Sequence, residues 1–267
     1  MSEVAFEMAG RPFDGRTFVG SRRVRLGDCS PGGRLRLDST ARYLQDLSDD
    51  DTRDAGLAQM TWVVRRTVID IHRFPTYLES LEMVTWCSAI GSRWAERRID
   101  ISSAAGGSIN SATLWVHIDS DTMRPLAPPP AFAEVFRGSA AGRSVSPRLT
   151  LEAPPPDLDL TPWPTRFTDF DVMNHVNNAI AFALVEEAIA GRRHLRAPLR
   201  VEVEYRAPID RDIPLSIGGI GPDTPRNGLA ETERDHARAC RIGSDAYAGW
   251  LVDNDRKCLI AFRITPH

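Results

Sequence analysis

Apolar residues recur along this chain at two different spacings, and the order of the two spacings is repeated. Between residues 38 and 56, apolar positions three or four residues apart predict one long helix that begins at Asp38 or Ser39 and ends at Gly56. A strand at SRRVRLGD is predicted before it. After it, runs of β-branched and aromatic residues, separated by turn-forming stretches, predict four strands. Their letters are TWVVRRTVIDIH, SLEMVTWCSAI, WAERRIDISS and SINSATLWVHID.

The same order begins again in the second half of the chain. A strand is predicted at PTRFTDFD and a helix from residue 176 to Gly191. Further strands are predicted at LRVEVEYRAP, IPLSIGGIG, HARACRI, AYAGWLVD and KCLIAFRIT. Placing Asp28 on Asp169 puts Arg34 opposite His175 without a gap. The matching order of elements favours two copies of one unit.

A proline-rich stretch separates the two copies. The stretch from Arg124 to Pro164 contains ten of the 19 prolines, and residues 126–161 within it are interpreted as a linker across the surface, between domains at 1–125 and 162–267. One long helix wrapped by a curved antiparallel sheet is the hotdog arrangement. The predicted fold class is therefore α+β, a double hotdog of two antiparallel sheets, each wrapping a long central helix. We expect the two sheets to join side by side.

Composition narrows the function classes. The 267 residues are 42% hydrophobic and 26% charged, as in ordinary globular proteins, and the net charge of −3 offers no basic field for nucleic acid. No signal-peptide pattern or membrane-spanning stretch is visible, so a soluble, cytoplasmic protein is predicted. The four cysteines lack the paired spacing of a metal site. Cys240 and Cys258 fall in predicted strands, where a buried structural role is usual.

Candidate chemistry is concentrated in RFTDFDVMNHVNNAIAFALVEEA. Asp171 lies four residues before His175, close enough in a loop to share a site. The carboxylate could act as general base or as nucleophile, and the imidazole could position water or assist the leaving group. Backbone N–H groups at the predicted helix start, in Val176, Asn177 and Asn178, suit a developing oxyanion.

Each of these residues also has a purely structural interpretation. An Asp-to-His spacing often arises by chance, and Asn177 or Asn178 is a common kind of helix cap. Glu187, on the predicted helix, is either solvated or neutralises Arg192 and Arg193.

Two motif sets resemble a known family. The run from TWVVRRTVIDIH to AERRIDI, followed by ATLWVHIDSDTMRP, resembles the first domain of the plant and bacterial acyl-acyl-carrier-protein thioesterases. DFDVMNHVNN with VEVEYR resembles their second domain, and the likeness spans Phe18 to Thr265. It implies hydrolysis of a fatty acyl thioester of acyl carrier protein or coenzyme A, with no cofactor and no metal. In the first half, GDCSPGGRL lacks the His and the Asn pair, so that half is expected to be catalytically silent and to shape the acyl pocket. Some of its tryptophans are expected on the inner face, against the helix or the acyl chain, with plain core packing as the usual role of each; they are Trp62, Trp86, Trp94 and Trp115.

The resemblance is incomplete at the functional positions. Those thioesterases usually read D-x-N-x-H in the second-domain loop, and here Met173 holds the place of the Asn. Pro208 and Ile209 stand where the plant enzymes typically carry Glu-Cys. We therefore expect Asn174 or Glu187 to supply the missing polar contact.

Partners and rival functions follow from the same features. An acidic carrier protein would be favoured by an arginine-bearing rim, for which Arg192, Arg193 and Arg196 are the candidates. Two joined repeats could work as a monomer or pair into a homodimer. A catalytically silent acyl-thioester binding protein is the main alternative, because three functional positions are changed. A dehydratase acting on 3-hydroxyacyl thioesters is disfavoured, since its own His-Asp pattern is not visible.

Overall fold

The computed structural model describes residues 7–192, 194–222 and 245–267. The chain divides into two compact units. The boundary between Arg148 and Leu149 falls inside the stretch predicted as a linker. The first unit comprises Met1–Ile69 and Arg73–Arg148, and the second comprises Asp70–His72 and Leu149–His267.

The first unit contains one long helix and an antiparallel sheet, as predicted. The strands lie in the order β1-β3-β4-β5-β2. The apolar face of α1 is buried, and Gly20 of β1 lies so near it that a Cβ there would stand 2.5 Å from the Leu47 Cδ1 atom. The elements are β1 (Phe18–Arg23), α1 (Leu37–Asp54), β2 (Thr61–Arg73), β3 (Ser80–Ile90), β4 (Trp94–Ser102), β5 (Ser108–Ile118) and α2 (Pro130–Ala140).

Helix α2 corrects the prediction that this stretch is a linker across the surface. Phe132 and Phe136 on this helix are buried in one cluster with Leu57, Cys87 and Ala95. The two phenyl rings lie 4.9 Å apart, centroid to centroid. Prolines on both sides masked the apolar spacing, although Pro at the first position of a helix is compatible with helix formation. The segment is therefore part of the first unit's core.

The second unit repeats the pattern with a shorter helix. Its strands lie in the order β7-β10-β9-β8-β6, all antiparallel. The helix α3 is apolar on most of its surface and is largely buried. The predicted strand HARACRI lies outside the described residues. The elements are β6 (Thr161–Pro162), α3 (Ile180–Ala190), β7 (Leu199–Tyr205), β8 (Ser216–Ile220), β9 (Tyr247–Val252) and β10 (Cys258–Pro266).

Two predictions for the second unit were wrong in detail. The predicted strand PTRFTDFD is instead an extended segment followed by a one-turn 3-10 helix at Phe167–Asp169. The long helix begins at Ile180, four residues later than predicted. The Asn177 Oδ1 atom accepts the Ala179 N–H at 2.8 Å, and such an Asn turn competes with helix formation. The residues between these two helices therefore form a loop.

The loop before each long helix has the same backbone course in both units. A carboxylate ends a one-turn 3-10 helix and accepts the N–H three residues earlier, and two antiparallel β-bridges follow. The carboxylate is that of Asp28 in the first unit and of Asp169 in the second. The bridges are Cys29–Leu35 and Arg34–Thr76 in the first unit, and Phe170–Val176 and His175–Asp210 in the second. The gap-free alignment seen in the sequence is thus reproduced in the backbone. No described helix is both long and apolar enough to cross a lipid bilayer.

The core role of α2 can be tested with Phe136→Ala. Removing this buried ring should lower the free energy of unfolding by about 3–5 kcal/mol, through lost contacts and a residual cavity. Urea unfolding followed by tryptophan fluorescence measures it. Phe13→Ala is the matched control, because Phe13 is fully exposed. A loss below about 1 kcal/mol at Phe136 would mean that the segment behaves as a surface linker.

Candidate active site

A tight turn brings the predicted acid and imidazole together. We call residues 170–178 the site loop. The Asp171 N–H donates to the His175 carbonyl at 3.0 Å, and the Asn174 N–H donates to the Asp171 carbonyl at 3.0 Å. Phe170 and Val176 form an antiparallel bridge just outside this pair. Asp171 and His175 are therefore paired through the backbone across one tight turn.

One oxygen of the Asp171 carboxylate accepts a hydrogen bond from the backbone, and the other oxygen accepts none from the described residues. Its Oδ1 atom accepts the Met173 N–H at 2.9 Å, and no described residue donates a hydrogen bond to Oδ2. The side chain is half-buried. A fixed carboxylate with one free oxygen and access to solvent is suited to take a proton from water.

His175 faces an acid that sequence reasoning missed. The His175 Nε2 atom lies 3.3 Å from Asp210 Oδ1, and the two residues form an antiparallel β-bridge. We call residues 209–211, which follow β7, the return segment. The Val176 N–H donates to the Ile209 carbonyl at 3.0 Å and joins the return segment to the site loop. An acid one residue after Ile209, in EYRAPID, was the available signal.

Asn174 was expected to supply a polar contact to the reacting groups. Its backbone forms part of the turn, and its side chain is bonded to Arg211 instead. Its φ of 59° is left-handed, a conformation that Asn adopts more readily than most residues. Its Oδ1 atom accepts hydrogen bonds from Nε and Nη2 of Arg211, at 3.2 and 3.0 Å. The Arg211 guanidinium also lies 4.7 Å from the centre of the Phe170 ring. Asn174 therefore ties the site loop to the return segment.

Two of the three backbone N–H groups predicted for an oxyanion are already bonded. The Val176 N–H is taken by Ile209, and the Asn177 N–H donates to the Asp169 carbonyl at 2.8 Å. The Asn177 side chain accepts the Ala179 N–H in an Asn turn just before α3, and Ala179, not Asn177, is the N-cap residue of that helix.

The third of these groups, the backbone N–H of Asn178, is not bonded to any described residue. The Asn178 carbonyl accepts the Tyr205 hydroxyl at 3.0 Å and the Ala181 N–H at 3.2 Å. The peptide is thus held in place at the N-terminal end of α3, where the helix dipole favours negative charge.

The structure does not bring Glu187 to the site loop. Glu187 is exposed and makes no described side-chain contact with Asp171 or His175, whereas its neighbour Glu186 is buried. The acid next to the imidazole comes from the return segment instead.

The arginines after α3 have separate roles. The Arg192 Nη1 atom donates to the Ala188 carbonyl at 3.1 Å, and the guanidinium lies 4.0 Å from the centre of the Tyr247 ring. Arg192 therefore caps α3 and is not a free rim cation. Arg193 lies outside the described residues, and Arg196 is exposed.

The first unit contains a cavity of about 220 Å³. Trp62 and Trp115 line it, and the Trp62 ring lies 5.1 Å from the Phe132 ring. The remaining lining residues are Gln45, Ser48, Asp49, Thr52, Ala58, Met60, Cys87, Ala95, Glu96 and Arg97. The wall therefore combines an apolar, partly aromatic side with a polar side that includes charged groups.

Trp86 and Trp94 do not line this cavity. Trp86 is fully buried, and the Arg98 guanidinium lies 5.3 Å from its ring centre. The Trp94 indole N–H donates to the Val145 carbonyl at 2.9 Å. These two tryptophans therefore follow the packing alternative.

The buried thiols are unsuited to nucleophilic catalysis. Burial raises the pKa of Cys258 to about 11, although the nearby Arg206 charge acts in the opposite direction. Burial likewise raises the pKa of Cys87 to about 12. Cys240 lies outside the described residues. Among the described residues, no group of three or more His, Cys, Asp or Glu side chains could hold a metal ion.

Comparison with known families decides the classification. The acyl-ACP thioesterase N-terminal domain model matches residues 15–136, and the corresponding C-terminal domain model matches residues 156–233. The chain belongs to the acyl-ACP thioesterase family. The reaction of this family is thioester hydrolysis.

The chain is similar to proteins from a bacterium and from a plant. The Mycobacterium tuberculosis protein Rv2001 is 32% identical over 217 residues, which are 80% of this chain and 87% of that protein. The chloroplastic dodecanoyl-acyl-carrier-protein hydrolase of Umbellularia californica is 27% identical over 261 residues, covering 86% of this chain and 64% of the plant protein.

Solved structures show the same fold. The 12:0-ACP thioesterase from Umbellularia californica has a TM-score of 0.71 at 18% identity, over 97% of this chain and 98% of that chain. An acyl-ACP thioesterase from Bacteroides thetaiotaomicron has a TM-score of 0.66 at 15% identity, over 93% and 97%. The hotdog-type architecture predicted from the sequence is confirmed.

The altered acyl-ACP thioesterase positions have clear structural surroundings. Met173 is 63% exposed. Pro208 is exposed, and Ile209 is buried with its carbonyl bonded to the site loop. The next residue is Asp210, whose Oδ1 atom lies 3.3 Å from His175 Nε2.

Thiol reactivity tests the exclusion of cysteine. With a pKa of about 11, about one Cys258 in ten thousand is a thiolate near neutral pH, so iodoacetamide should leave Cys258 and Cys87 unmodified in the folded protein. Peptide mapping by mass spectrometry measures this, and the urea-unfolded protein is the control in which both should react. Rapid modification of Cys258 in the folded protein, together with loss of thioester hydrolysis, would restore a cysteine mechanism.

Proposed function

We propose that this protein hydrolyses fatty acyl thioesters to a free fatty acid and the carrier thiol. The backbone hydrogen bond that holds Asp171 and His175 in one tight turn is the observation that carries the proposal. Membership of the acyl-ACP thioesterase family supports it. Acyl carrier protein and coenzyme A are the two carriers considered.

Asp171 is the general base in this mechanism. Its Oδ1 atom is fixed by the Met173 N–H, which leaves Oδ2 to accept a proton from water. His175, paired with Asp171 across the turn, accepts the second hydrogen of that water. A water held by two acceptors turns an oxygen lone pair towards the thioester carbonyl, and hydroxide attack forms the new C–O bond.

Asn178 stabilises the negative charge that develops on the carbonyl oxygen. Its free N–H, at the positive end of α3, is a fixed donor, and the Tyr205 hydroxyl holds the neighbouring peptide in position. Collapse of the tetrahedral intermediate breaks the C–S bond. The proton taken up by Asp171 is returned to the departing thiolate.

The cavity of the first unit is proposed to take up part of the acyl chain. Trp62, Trp115 and Phe132 provide an apolar aromatic wall. This extends the expectation that the first half is catalytically silent: the residues at the positions of Asp171 and His175 are Ser30 and Arg34.

Free-thiol release from a panel of acyl-coenzyme A and acyl-carrier-protein substrates tests the function. Steady release that is proportional to enzyme concentration and ranks the chain lengths supports hydrolysis. Saturable acyl-thioester binding without thiol release would instead identify the silent binding protein.

Asp171→Asn tests the general base. The change keeps the size of the side chain but removes the negative charge, so thiol release should fall by roughly two to four orders of magnitude. The matched control is Glu187→Gln, which removes one carboxylate charge from an exposed position on α3 and should retain activity. Circular dichroism verifies that both variants fold. A folded Asp171→Asn protein at the parent rate would exclude this base.

Arg196→Glu tests for carrier-protein recognition. Acyl carrier protein presents an acidic helix, so reversing the charge of this exposed residue should lower kcat/KM for carrier-protein substrates about tenfold at low salt. Coenzyme A substrates with the same acyl chain should be affected less. Arg11→Glu, an exposed charge reversal in the first unit, is the control. Equal losses on both carriers would contradict a carrier-protein surface at Arg196.

A further inference from the structure

We propose that Asp210 is a positioning residue that fixes the ring orientation and tautomer of His175. This inference rests on the proposed function for its catalytic consequence. The pairing of Asp210 with His175 itself rests only on the contact between His175 and the return segment.

The contact is built by the backbone as well as by the side chains. Asp210 and His175 form an antiparallel bridge, and the adjacent Val176 N–H donates to the Ile209 carbonyl. On the far side, Arg211 donates two hydrogen bonds to Asn174. Asp210 is thus anchored on both sides, and its Oδ1 atom lies 3.3 Å from His175 Nε2 although the side chain is 61% exposed.

The other charges near the ring do not duplicate this contact. Asp171 lies opposite His175 in the turn, with Oδ1 bonded to the Met173 N–H. Arg211 is directed to Asn174 and to the Phe170 ring. Asp212 is exposed, and no described hydrogen bond or ion pair involves it. Within the described part of the chain, Asp210 is the acid paired with the imidazole.

The pairing determines which ring nitrogen is available. A neutral imidazole has one N–H, and a carboxylate can only accept, so the proton is held on Nε2. The lone pair of Nδ1 is then free to accept a hydrogen from the attacking water. Without Asp210 the ring could turn or exchange tautomers, and a share of the molecules would present an N–H where the water needs an acceptor.

Asp210→Ala and Asp210→Glu form the central experiment, with Asp212→Asn as the matched control. Asp212→Asn removes the same charge two residues away, and Asn tolerates the left-handed φ of 68° at that position. We expect Asp210→Ala to lower kcat roughly ten- to hundredfold with little change in KM, because the residue acts on the reacting water and not on substrate binding. Asp210→Glu should recover part of the loss.

Nitrogen-15 NMR shows which ring nitrogen of His175 carries the proton. This preference would not change if Asp210 only stabilised the fold. The His175 signals are assigned by their loss in His175→Ala. The parent protein and Asp212→Asn should show Nε2 protonated and Nδ1 unprotonated when the ring is neutral. Asp210→Ala should lose that preference, and Asp210→Glu should restore it.

The outcomes separate this inference from the proposed function. If the parent protein releases thiol and Asp210→Ala matches Asp212→Asn in both kcat and tautomer, the positioning role is overturned and the hydrolase stands. If the parent protein releases no thiol from any substrate, the proposed function fails. The tautomer measurement then decides alone: loss of the Nε2 proton in Asp210→Ala supports the pairing, and an unchanged spectrum overturns it.

Discussion

The hydrogen bond from the Val176 N–H to the Ile209 carbonyl is the interaction on which the candidate site depends. It joins the site loop to the return segment, and by doing so it brings Asp210 to His175 and Arg211 to Asn174. One such bond contributes only about 1 kcal/mol to stability. Its importance is geometric, because a shift of one residue in this pairing would move every polar group of the return segment to the opposite face.

The EYR motif explains how the return segment reaches its position. Glu204 is completely buried and accepts the Leu151 N–H at 3.0 Å, and Arg206 pairs with Glu204 at 3.1 Å. Tyr205 points to the other face of β7 and donates to the Asn178 carbonyl. Part of the sequence signature of this family therefore serves as scaffolding. It sets the end of β7 against the start of α3, and the reacting groups lie on the two loops that follow from this arrangement.

Features that depend on residues close together in the sequence could be predicted from it, and features that depend on contacts between distant residues could not. Helix α1 and most strands were predicted because their apolar spacing is local and regular. Helix α2 was missed because flanking prolines concealed its apolar face, and α3 was started too early because the Asn177 turn was not recognised. Asp171 and His175 were found from four-residue spacing. Asp210 was not, because its contact with His175 is made across 35 positions of the chain and depends on loop geometry.

The two units show what is required beyond the fold. Both have the same backbone before their long helix, but only the second has an acid and an imidazole on it, and we infer that Asp171 activates water there. Single-turnover hydrolysis in oxygen-18 water tests this most directly, with enzyme in excess over acyl thioester. Water activation predicts one oxygen-18 in the released fatty acid and none in the peptide containing Asp171. Oxygen-18 in the Asp171 carboxylate would contradict it, because the label could enter there only through a covalent acyl intermediate.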